Sequence, residues 1–138
     1  MTGFEGRGNS GNGVHVIDSP SNIIGGTGDG ARNVISGNNG EGVRIDGSHS
    51  SGNVVRGNYI GTDAAGTGAI GNTASGVFIR RAPGNSVLDN VVSGNLGFAG
   101  VAICGSIQGQ PQCGGGNIGT QTSDAAGKET IEQHVACL

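Results

Sequence analysis

Four copies of one tetrapeptide pattern, Gly-Val-x-(Ile/Val), punctuate the chain: GVHV from Gly13, GVRI from Gly42, GVFI from Gly76 and GVAI from Gly100. Recurrence of this kind predicts a stack of similar units, because each unit carries an aliphatic stripe too small to bury alone. The copies begin 29, 34 and 24 residues apart. The irregularity resolves once each interval is divided by its asparagines. An Asn followed two places later by an aliphatic occurs at Asn22/Ile24, Asn53/Val55 and Asn85/Val87, then again at Asn33/Ile35, Asn58/Ile60 and Asn90/Val92. A Gly-Asn pair precedes each tetrapeptide, ending at Asn9, Asn38, Asn72 and Asn95.

Each repeat therefore has three short strands and three corners, with a basic length of 24 residues as in the last interval. From the first Asn to the second the steps are 11, 5 and 5, and from there to the Gly-Asn corner they are 5, 14 and 5. The longer steps are insertions at single corners. In GNYIGTDAAGTGAIGN, residues 57–72, the two Gly-Asn pairs are consecutive corners, and Gly61 to Ala69 is the excess, expected to be a dispensable loop.

Elementary backbone chemistry agrees with this register. Val14/Val16, Val43/Ile45, Val77/Ile79 and Val101/Ile103 alternate with other residues, the period of a strand buried on one face. Glycine supports positive φ at corners, and Asn tolerates the left-handed region better than most side chains. Asparagines at equivalent corners of strands ~4.8 Å apart are placed to form hydrogen-bonded ladders. The residues thus predict an all-β parallel β-solenoid of about four coils with corner insertions. Ile, Val and Leu fill such an interior without aromatic help, consistent with 1 Tyr, 3 Phe and no Trp.

Residues 53–79, NVVRGNYIGTDAAGTGAIGNTASGVFI, resemble bacterial right-handed parallel β-helix repeat proteins of the pectin-lyase-like class. The resemblance extends over about residues 8–105, and GNxIGTDxxGxxAxGN is its most specific portion. It implies a right-handed helix of coils and a secreted or cell-surface bacterial protein. The class mixes polysaccharide lyases, hydrolases and epimerases with adhesins and plain repeats, so the fold does not fix an activity.

In enzymes of that class the outward face of the first strand usually holds substrate. Here the outward rows read His15, Arg44, Phe78, Ala102 and Ile17, Asp46, Arg80, Cys104. His15, Arg44, Asp46 and Arg80 would share one face, a candidate site for an acidic sugar. The plainer reading pairs Arg44 and Arg80 with Asp46 as exposed ions worth about 0–1 kcal/mol.

Catalysis requires more than the sequence offers. A calcium-dependent lyase needs several converging carboxylates and a base, and a hydrolase needs two carboxyls across the scissile bond. Asp18, Asp46 and Asp63 fall in different parts of the repeat, RRAPGN from Arg80 matches a lyase basic motif only superficially, and the Asp-Pro-His signature of β-helix epimerases does not occur. No catalytic residue is assigned. The preferred reading is a structural or ligand-binding segment of an extracellular or surface protein; the alternative is a module or remnant of a lyase, hydrolase or epimerase acting on acidic glycans. GGTGDG from Gly25 resembles a calcium-binding β-roll turn, but Asp29 comes one position early and the motif is not tandem. Asp63 in GTDAAG reads as a carboxylate capping its own turn, so calcium has thin support and no cofactor is expected. His49 and His134 lack partners at zinc-ligand spacing.

A formal charge of -3, from 7 basic and 10 acidic side chains without a basic run, argues against nucleic acid or anionic lipid as partner. No apolar stretch approaches the length of a membrane span, and MTGFEGRGNSGNG lacks the order of a signal peptide. The chain is expected to be one domain, residues 1–138, and a fragment of a longer solenoid, since nothing before Gly8 reads as a cap. Open edges would then favour end-to-end self-association. Beyond residue 105 the markers fade into an irregular tail or cap. Ile131, Val135 and Leu138 lie at helical spacing, predicting either a short amphipathic helix over the last coil or a frayed end. NIG at Asn117 reads as a late strand. Of Cys104, Cys113 and Cys137, either none is paired or the first two close a loop.

Overall fold

The computed structural model describes residues 7–97, 99–107, 110–113 and 128–132. The expectations for Asn117, His134, Val135, Cys137, Leu138 and the first six residues lie outside them. Eleven strands and no helix occur among the described residues. They are β1 (Val14–Ile17), β2 (Ile23–Gly25), β3 (Val34–Ile35), β4 (Val43–Asp46), β5 (Val54–Arg56), β6 (Tyr59–Ile60), β7 (Val77–Arg80), β8 (Ser86–Val92), β9 (Val101–Ile107), β10 (Gln110–Cys113) and β11 (Lys128–Glu132).

Two sheets result, ordered β1-β4-β7-β9-β10 and β2-β5-β8-β6-β3, with β11 added on β8. Every pairing between repeats is parallel, as in a parallel β-solenoid. Val14, Val43, Val77 and Val101 are successive partners in the first sheet, so the four tetrapeptides stack in register. The second sheet doubles back at β8, which pairs with β5 through Ser86–Leu88 and with β6 through Val91–Val92. The core runs between the sheets. Val43, Ile45, Val55, Ile60, Val77, Ile79, Val92 and Val101 have no exposed surface, and Val16, Ile24, Ile35 and Val87 complete the cluster. Each fully buried aliphatic contributes about 1.5–3 kcal/mol.

Three asparagine ladders hold the corners, on the residues the spacing marked. Backbone N–H groups of Asn9, Asn38 and Asn72 donate to the side-chain oxygens of Asn38, Asn72 and Asn95. Asn22, Asn53 and Asn85 form the second series, and Asn33, Asn58 and Asn90 the third. The amide nitrogens close the circuit: Nδ2 of Asn58 donates to Ile24 O at 2.9 Å and to Asn90 Oδ1 at 3.0 Å. Glycine completes these corners where the backbone turns tightly. Gly57 has φ +68° and leaves no room for a Cβ against the carbonyl of Gly26.

Three expectations are corrected. Gly61 to Ala69 is not a free loop, because Gly61 N donates to Ile35 O and Thr62 is buried, its carbonyl accepting from the Ser36 hydroxyl. Glycine at 66 packs beneath the Tyr59 ring, so even the tip of the insertion rests on its neighbour. The helical spacing at Ile131 does not make a helix over Lys128–Glu132, which instead pairs antiparallel with β8 as β11. A short isolated helix is marginal, whereas a strand satisfies the backbone groups along an edge that would otherwise be unpaired. Finally, the irregular segment after residue 105 begins as an extension of β9 that reverses into antiparallel β10, and Cys113 is the partner facing Cys104 in that register. Cys104 is disulfide-bonded, which removes the unpaired reading for that residue.

Replacing Asn58 by Ala is expected to cost about 3 kcal/mol, because the Asn33 N–H and the Ile24 carbonyl lose their partners. Asn39→Ala, an exposed side chain, should stay within about 0.5 kcal/mol in the same urea titration. The register itself is checked by thermal melts of Val77→Asp against Phe78→Asp. The first buries an unpaired carboxylate and should cost several kcal/mol; the second, on the outward row, should cost far less.

Candidate functional site

The outward face of β1, β4 and β7 is built by the same alternation that fills the core. His15, Arg44 and Phe78 are direct partners across these strands, and Ile17, Asp46 and Arg80 are partners two residues on. Parallel strands lie about 4.8 Å apart, so side chains in one row are fixed neighbours. All four predicted residues thus share a face, but three of them are drawn together and one is not. Arg44 Nη2 donates to Asp46 Oδ2 at 3.1 Å, and Arg80 makes a two-pronged contact, Nε to Oδ1 at 3.1 Å and Nη2 to Oδ2 at 2.9 Å. His15 is exposed beside Arg44 and has no hydrogen bond or ion pair with any described residue.

Two further charges join the cluster that the spacing did not identify. Glu41 accepts from Arg44 Nη1 at 3.4 Å, and Arg81 Nη2 stands 3.8 Å from Asp46 Oδ1. Arg81 has φ 51°, at a corner where its equivalents Asp18 and Gly47 also have positive φ. This conformation, costing about 1–2 kcal/mol for an ordinary side chain, carries the next residue after β7 back toward the cluster. Arg44 also lies 5.1 Å over the Phe78 ring. Three guanidinium groups therefore surround two carboxylates, leaving one net positive charge.

Burial tends to raise the Asp46 carboxyl, but the hydrogen bonds and charges of Arg80 and Arg44 outweigh it and hold the group below its ordinary value. Asp46 is thus a fixed anion at neutral pH, suited to orienting guanidinium groups rather than to donating a proton. Nε of Arg44 is buried without a hydrogen-bond partner. Ala102 and Cys104, the fourth members of the two outward rows, are buried, so the accessible face ends at β7.

The two loops with calcium-like spelling differ. Asp63 accepts from the backbone N–H groups of Thr67 and Gly68, which lower its pKa, and so caps its own turn. Asp29 is exposed in its loop. No group of three His, Cys, Asp or Glu side chains that could hold a metal ion occurs among the described residues. His49 pairs with Asp18 at 3.5 Å. No helix among the described residues is long and apolar enough to cross a membrane.

The chain matches no protein family, no curated protein and no solved structure. Roles for these residues therefore rest on geometry.

A carboxylate with a lowered folded pKa stabilises the fold above its unfolded value, and that contribution disappears as pH falls through the folded one. Thermal stability should accordingly fall as the pH drops below about 4. Asp46→Asn should melt lower than the parent at pH 7 and lose less between pH 5 and pH 3; equal acid sensitivity of the two proteins would remove Asp46 as the acid-labile group.

Proposed function

We propose that this chain is a right-handed parallel β-helix segment of about four coils that works without catalysis, as a rigid surface presenting guanidinium groups to an acidic polysaccharide. The observation that carries this reading is the arrangement around Asp46. One buried anion orients Arg44 and Arg80, with Arg81 at the rim, and the cluster keeps a net positive charge on a face fixed by β4 and β7. Guanidinium forks recognise carboxylates in a planar, two-pronged manner, and uronic acids offer one carboxylate per residue. His15 extends the same face by one strand spacing. Part of each guanidinium is already committed to Asp46, so affinity would come from several sugar units rather than from one.

The reading without catalysis is supported by the chemistry of Asp46 on this face. Asp46 is held as an anion, not as a protonated carboxyl poised over a glycosidic oxygen, and Glu41 is engaged by Arg44. An extracellular or cell-surface setting is supported by the disulfide at Cys104, since such bonds persist in oxidising compartments.

Calorimetry with tetragalacturonate, run beside an assay for unsaturated and reducing-end products, tests both halves of the proposal. Binding without product is expected, weakening about ten-fold in Arg80→Ala and falling with added salt. Product formation that Arg44→Ala or Arg80→Ala abolishes would establish the lyase, hydrolase or epimerase reading instead. Failure to bind would remove the glycan-presenting role.

A further inference from the structure

The second sheet carries a cleft that the reading above does not use. The six-residue excess between Asn22 and Asn33 forms a loop over Gly26–Gly30, turned by Gly25 and Gly30 at positive φ and closed by a hydrogen bond from Ala31 N to Gly28 O. Neighbouring repeats have no such insertion at this corner. The loop therefore overhangs the stack, and beneath it lies a cleft of about 600 Å³ lined by Thr27, Asp29, Arg32, Tyr59, Asp89 and Val91 together with glycine backbone. This volume is within the range of small-molecule sites.

Its walls are chemically mixed and fixed in place. Arg32 lies 4.1 Å over the Tyr59 ring, and its Nε donates to Gly57 O at 3.4 Å, so the guanidinium is held with its two terminal nitrogens unengaged by any described residue. The ring is also packed against Gly66. Asp89 adopts φ 53° at the corner equivalent to Gly57, and its carboxylate takes Arg56 Nε at 3.1 Å. Asp29 makes no hydrogen bond or ion pair with a described residue. Among the described side chains, the charges near the cleft, Arg32, Arg56, Asp29 and Asp89, cancel.

We infer that this cleft binds a neutral saccharide. A uronate carboxylate would face Asp29 and Asp89, and a cationic ligand would face Arg32 and Arg56, so a charge on the ligand gains nothing there. Vicinal hydroxyls are donors and acceptors at once and satisfy a carboxylate and a guanidinium together. The glycine-rich rim lets a bulky ring approach the backbone. The ligand class differs from that of the Asp46 face, on another sheet, so the two proposals stand or fall separately.

Titration calorimetry of the full chain with cellohexaose, xylohexaose and mannohexaose, and with tetragalacturonate as the charged comparison, tests this. Saturable binding of at least one neutral oligomer is expected. It should weaken about ten-fold or more in Asp29→Asn and in Arg32→Ala, which each remove a hydrogen bond to a charged group, and stay unchanged in Asn39→Ala, an exposed side chain outside the cleft. Unchanged melting temperatures in the first two variants would show that the fold is intact. Arg32→Lys should not restore binding if the planar fork is what matters. No binding by any of the three oligomers, binding unaffected by both cleft variants, or equal competition by tetragalacturonate would overturn the inference.

Discussion

The hydrogen bond from one asparagine's backbone to the side chain of the asparagine one repeat later is the contact on which the architecture depends. A chain that turns a corner every few residues breaks its own strand pairing at each turn, and the backbone groups there are buried. Asn53, Asn58, Asn72, Asn85 and Asn90 have no exposed surface, so each unsatisfied group would carry a desolvation penalty of about 1–3 kcal/mol. The primary amide solves this because it accepts from one repeat and donates to another. Aspartate would place negative charges in a column, and glutamine would be a methylene too long for the ~4.8 Å spacing. The aliphatic interior stacks because these corners are satisfied.

That constraint also explains which parts of the structure were legible in the sequence. Ladder residues and inward valines are dictated by the same spacing in every repeat, so Asn22/Asn53/Asn85 and Val14/Val43/Val77/Val101 could be aligned from letters alone. Outward placement of Arg44, Asp46 and Arg80 follows from the same alternation. What could not be read depends on departures from the repeat. Arg81 joins the cluster only because its backbone takes a positive φ, which arginine rarely does. Gly61 and Thr62 look like insertion but belong to the stack, since counting cannot say at which end of a long step the extra residues leave the core. In Lys128–Glu132 the choice between helix and strand was made by an unpaired edge elsewhere, a tertiary influence that local spacing does not carry.

In the proposed reading, the two faces use one scaffold in different ways. On the first sheet the charged groups are rigid because strands set their spacing and Asp46 sets their orientation, so little side-chain freedom remains to be lost on binding. On the second sheet the geometry comes from an inserted loop resting on a regular stack. The repeat supplies an invariant frame, and the corners where it is interrupted supply individuality.

The antiparallel seating of β10 on β9 and of β11 on β8 has a topological corollary. Those two edges no longer accept a parallel strand, so another unit of the same kind cannot be appended there without evicting them. Insertion between existing units meets no such obstacle, because every ladder simply gains a rung and both new neighbours are already complementary.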